Sequence, residues 1–98
     1  MAEGNQLVVP DEAGRDINSF EILRVWVANK AQHVSLRVGV WKDPFAWGIM
    51  LADLAGHIAN AFAQEMHLDR QDALQRIRRG FEAELDLPTD TPTGSIVP

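Results

Sequence analysis

The stretch Trp41 to Glu65, WKDPFAWGIMLADLAGHIANAFAQE, constrains this chain more than any other. It opens with Asp43-Pro44. An aspartate there can accept a hydrogen bond from an orphan N–H of the first helical turn. A proline after it costs nothing, because its missing N–H would be unpaired and its φ already fits. Trp47, Met50, Leu51, Leu54, Ile58, Ala61 and Phe62 then keep helical spacing over several turns. The pattern predicts one long helix. At about 100° per residue, Asp53, His57, Asn60 and Gln64 share a narrow polar stripe. Gly48, Ala52, Gly56, Ala59 and Ala63 form a small flank beside the large residues. A helix apolar over most of its circumference is buried on several sides. Glycine inside a helix costs roughly 1 kcal/mol relative to alanine. Close approach of another backbone along the flank is therefore expected.

The helix is long enough to cross a bilayer, but Asp53, His57 and Asn60 sit mid-segment, where each is costly in lipid. No membrane partner is expected. The chain has 98 residues, 46% of them apolar, which is enough for one small core. With no cysteine there is no disulfide framework or thiol chemistry, which suits a reducing cytoplasm. The start MAEGNQ lacks the basic and apolar regions of a signal peptide, so a cytoplasmic location is expected. A net charge of −5 makes the chain a poor generic partner for phosphates.

Residues 1–18 are acidic and contain Gly4, Pro10 and Gly14. They read as a disordered arm, in which only Leu7, Val8 and Val9 have strand character. Ser19 to Ala28, SFEILRVWVA, is β-branched and aromatic and reads as a strand. His33 to Trp41, HVSLRVGVW, alternates and reads as its partner, with a turn beginning at Asn29. Loops of even length put Leu23, Val25 and Val27 on one face with Val34, Leu36 and Val38. That face is a floor for the long helix. The other face carries Phe20, Ile22, Arg24, Trp26, His33, Ser35, Arg37 and Trp41, too apolar for solvent and too charged for a plain core. One register opposes Arg24 to Arg37, which needs a nearby anion; others set an arginine beside Trp26 or Ile22. After a turn at Met66-His67-Leu68, Asp69 caps a second helix with the apolar stripe Leu74, Ile77, Phe81 and Leu85. The cluster Arg76, Arg78, Arg79 is neutralised by Glu82, Glu84 and Asp86 and reads as a solvated face. Pro88 ends the helix, and residues 88–98 read as a disordered tail. The single folded domain is 19–87.

His33-Val34-Ser35-Leu36-Arg37, Trp41, Asp43-Pro44, Trp47-Gly48 and Leu51-Ala52-Asp53 resemble a family of small alphaproteobacterial proteins known only as a domain of unknown function. Ala73-Leu74-Gln75-Arg76-Ile77 is similar too. The resemblance covers roughly Ser19 to Asp86. It implies a bacterial, cytoplasmic protein and brings no activity, ligand or catalytic residue.

Asp53 and His57 stand four residues apart, so a carboxylate can orient an imidazole there, as general-base catalysis requires. Ser35 is on the face turned away from the helix, which argues against a Ser–His–Asp site. A metal site needs further ligands, and the other histidines, His33 and His67, are remote from His57 in the pattern. No Gly-rich phosphate loop follows a strand. No catalytic residue, metal or cofactor is implied. A strand before two helices is also the layout of ribbon-helix-helix repressors, with His33, Ser35, Arg37 and Gly39 as outward readers. The preceding strand, the length of the first helix and the acidic charge oppose that reading.

The expected architecture is α+β, β-β-α-α: a β-hairpin packed on a long helix, a second helix beside it, completed by dimerisation because a two-stranded sheet alone is marginal. The expected function is a non-catalytic accessory or protein-interaction module. The alternatives are a nucleic-acid-binding regulator using the aromatic and arginine sheet face, and an enzyme or ligand site around Asp53 and His57. The expected partner is a second copy, with an unidentified protein partner also open. Candidate interface residues are Phe20, Ile22, Arg24, Trp26, Arg37 and Trp41 on the sheet, and Gly48, Ala52, Gly56 and Ala63 on the flank. The competing account of the flank is that the second helix fills it within one chain.

Overall fold

The computed structural model describes residues 3–87 and 93–97. A 3-10 turn at Glu3–Asn5 and a short helix α1 (Asp11–Arg15) precede strands β1 (Leu23–Ala28) and β2 (Ala31–Arg37). A 3-10 turn at Val38–Val40 leads to helices α2 (Pro44–Met66) and α3 (Arg70–Asp86), and strand β3 (Thr93–Val97) follows. The β-hairpin packs against the two helices, so the β-β-α-α core of the architecture is as expected. The sheet has three strands in the order β1-β2-β3.

Asn29 and Lys30 both have left-handed backbones, with φ of 54° and 62°. Two such residues between antiparallel strands make the tight turn whose twist matches the strands. That turn starts β2 at Ala31, two residues before the alternating run. Leu23 pairs with Leu36, Arg24 with Ser35, Val25 with Val34 and Trp26 with His33. The Arg37 N–H donates to the Ile22 carbonyl at 2.9 Å. The two arginines are therefore not opposed, and Arg37 stands beside Ile22. Both expected strands are longer than those observed. β1 begins at Leu23 rather than Ser19, and after Arg37 the chain coils into the 3-10 turn that aims it at α2.

The tail differs most from expectation. Thr93–Val97 pairs with β2 in parallel, Val34 beside Gly94 and Leu36 beside Ile96. A Pro-rich composition predicts no order, but the free edge of β2 supplies backbone partners that composition does not register. The rest of the expected tail, 88–92 and 98, lies outside the described residues, as do residues 1–2 of the arm. Within the arm, α1 is followed by local bonds: Ser19 Oγ donates to the Ala13 carbonyl at 2.7 Å, and Asn18 N–H to Asp16 Oδ1 at 2.9 Å. Leu7, Val8 and Val9 form no strand and are exposed.

α2 begins as its sequence dictates: Asp43 Oδ1 accepts from the Phe45 N–H at 3.0 Å, with Pro44 first in the helix. It ends at His67, whose left-handed backbone turns the chain. Asp69 then caps α3, accepting from the Asp72 N–H at 3.1 Å. The covered side of α2 changes along its length. In the first half Ala46, Trp47 and Met50 are half-buried, with the Trp47 ring edge-on to Trp41 at 5.1 Å between centroids. In the second half the small residues Ala55, Gly56, Ala59 and Ala63 are covered. The only fully buried hydrophobic side chains among the described residues are Ala59 and Ala73. The expectation of a helix buried on several sides by its large residues is thus corrected. Leu51, Leu54, Ile58 and Phe62 are open, because α3 packs on the flank where small side chains let two helices approach. The hairpin floor is likewise covered only in part: Leu23, Val34 and Leu36 are half-buried, while Val27 near the turn is 80% exposed.

Candidate functional site

The polar stripe lies on α2, with Asp53, His57, Asn60 and Gln64 all exposed, as its spacing predicts. One side chain from another element joins it. The Arg70 Nε donates to Asn60 Oδ1 at 2.5 Å. The Arg70 Nη2 lies 3.5 Å from where a Cβ on Gly56 would stand. The chain reversal at His67–Asp69 folds the first residue of α3 back over α2. What approaches Gly56 is therefore a guanidinium and not a backbone. Gly48 has nothing within 4 Å. His57 and Asp53 continue the stripe, about one and two helical turns before Asn60.

Arg70 is the residue that sequence reasoning missed, though a signal was present. The first turn of a helix favours negative side chains and disfavours a cation. An arginine directly after the Asp69 cap is out of place electrostatically, which points to a partner elsewhere.

The residues of the sheet face are placed differently. Arg24 pairs with Glu21 at 3.0 Å. The Arg37 Nε donates to the Glu21 carbonyl at 3.3 Å, and its guanidinium stacks on Phe20, 5.7 Å from the ring centre. Ile22 and Trp26 are half-buried, Phe20 is largely exposed, and Trp41 is taken up by Trp47. The arginines of this face are thus engaged within the chain. Residues Asn5 to Pro10 and Leu23 to Val27 are among those that line an open groove of about 950 Å³, Trp26 with them. Among the described residues no group of three His, Cys, Asp or Glu side chains is placed to hold a metal ion. No helix among them is long and apolar enough to cross a membrane.

A small sheet with a helical hairpin against it, carrying one polar stripe and an arginine from the second helix, defines a small α+β domain protein. The chain belongs to the family described as Domain of unknown function (DUF5076), whose model matches residues 6–89. The expected kinship with a small, poorly characterised bacterial family is correct. No curated protein sequence is similar to the chain. A solved structure from the photosynthetic bacterium Rhodopseudomonas palustrus is similar, with 34% sequence identity and a TM-score of 0.70 over 90% of each chain. That protein is provisionally described as a pyruvate dehydrogenase. This likeness overturns the expectation of a non-catalytic module that is not an enzyme.

Proposed function

We propose that the chain is an enzyme-associated component of a pyruvate dehydrogenase system, and that the α2 polar stripe with Arg70 is the face that meets a small 2-oxo carboxylate. One observation carries the reading: 34% identity, over 90% of both chains, to a protein described as a pyruvate dehydrogenase. It favours the alternative of an enzyme or ligand site around Asp53 and His57 over the other readings of the sequence.

Chemistry supports the choice of face. Pyruvate is a planar carboxylate beside a carbonyl, and a guanidinium is a planar fork that matches a carboxylate. The bond from the Arg70 Nε to Asn60 fixes the plane of that fork. Gly56 beneath it has no side chain to obstruct a ligand. The Asn60 amide has N–H donors suited to a carbonyl oxygen. His57 is one turn from Asn60 on the same stripe, with Asp53 four residues before it, and an imidazole is the side chain suited to moving a proton.

Titration of the isotope-labelled protein with pyruvate tests the assignment, with acetate as the control. The expected result is amide shift changes centred on Gly56, Asn60 and Arg70, stronger with pyruvate than with acetate, and lost in Arg70→Ala. Shifts elsewhere, or none, would contradict it.

A further inference from the structure

We propose that β1 pairs with β1 of a second copy, antiparallel about a two-fold axis at Val25, so that the two sheets join into one. The inference is independent of the ligand reading, because it uses the sheet and not α2.

The first argument is the backbone of β1, which stands at an edge of the sheet. In an antiparallel pair, residues whose N–H and C=O turn toward the partner strand alternate with residues whose groups turn away. The bond from the Arg37 N–H to the Ile22 carbonyl fixes the phase. Ile22, Arg24, Trp26 and Ala28 therefore face β2, and Leu23, Val25 and Val27 turn their backbone groups to the open edge. Among the described residues no backbone bond from another segment reaches those three. Asn5 to Pro10 line the same groove as β1 but make no backbone bond to it. Such an edge is a template for another strand unless a proline, a bulge or a charge blunts it. β1 contains no proline, and its register with β2 runs without a bulge. Its one charged residue, Arg24, is paired with Glu21. The side chains agree with the backbone, since Val25 and Val27 are 50% and 80% exposed.

The second argument selects the occupant and the register. A two-fold contact must be self-complementary, and outward residues must stand opposite outward residues. An axis at Arg24 would set two guanidiniums directly opposite each other, which is unfavourable. An axis at Trp26 would carry Leu23 past the end of the other strand and lose its bonds. An axis at Val25 uses all three outward residues: Val25 meets Val25, and Leu23 meets Val27 of the other copy. About six backbone bonds then form. On the opposite face Arg24 stands across from Trp26 of the other copy, a guanidinium beside an indole. The edge thus complements itself in one register, and that register covers the open valines. The chain has surface to cover: it exposes 8656 Å², whereas a compact monomer of 10.9 kDa exposes about 5,600 Å².

Light scattering of the intact chain at micromolar concentration should give twice the 10.9 kDa chain mass. Hydrogen exchange read by NMR should show slow amides at Leu23, Val25 and Val27, although all three turn away from β2. Val25→Lys sets two ammonium groups across the axis, so it should halve the mass and speed those amides, while Val25→Thr should keep the dimer. Crosslinking guards against a misfolded variant, since the chain has no cysteine of its own. Val25→Cys should join two copies through a short bis-maleimide. Ser35→Cys should not, because three strand spacings put the two β2 strands about 14 Å apart. A monomeric mass overturns the proposal, including a monomer whose own arm protects the β1 amides. So does a dimer with fast amides at Leu23, Val25 and Val27, a dimer that survives Val25→Lys, or equal crosslinking from both cysteine positions.

Discussion

At the scale of single residues, Gly56 and Gly48 look alike in the sequence and stand in different surroundings. Gly56 lies under the Arg70 guanidinium, whereas Gly48 meets nothing within 4 Å. The helical backbone at Gly48 needs no special φ, so its missing side chain only weakens α2. Gly48→Ala should stabilise the fold by about 1 kcal/mol, which is about 4–8 °C in Tm for a domain of this size. Thermal melting reads the change, and a drop in Tm would show that something packs closely on position 48. The caps of both helices were fully legible, because Asp43-Pro44 and Asp69 act through neighbours in the chain. Arg70 was not legible, because its partner Asn60 is ten residues away and meets it only once the helices fold back.

At the scale of elements, the sequence discloses what local chemistry determines and conceals what a distant edge determines. The hairpin, its inward pairing of Leu23 with Leu36 and the two helices follow from alternation and periodicity. β3 does not, because its order depends on the open edge of β2 some sixty residues earlier. Which side of α2 is covered was also hidden. Periodicity marks the large residues as apolar, but helices pack closely where side chains are small, and Ala59 and Ala73 won that contact. The third strand has a consequence. A chain ending after Leu87 should lose Tm by on the order of 5–10 °C, about 1–2 kcal/mol, as the backbone bonds of β2 to β3 are exchanged for water. An unchanged melting curve would show that β3 contributes nothing to stability.

At the scale of the whole molecule, the open apolar stripe and the polar stripe are separate faces of one helix that share no residue. The family relationship rests on residues 6–89, and the proposed enzyme-associated role rests on the likeness to the Rhodopseudomonas protein. Pyruvate-dependent reduction of NAD in extracts of cells lacking this gene tests that role most directly. A lowered rate is predicted, restored by the wild-type chain and not by the Arg70→Ala or His57→Ala chain. A rate in the deleted strain equal to that of the parent would contradict the assignment.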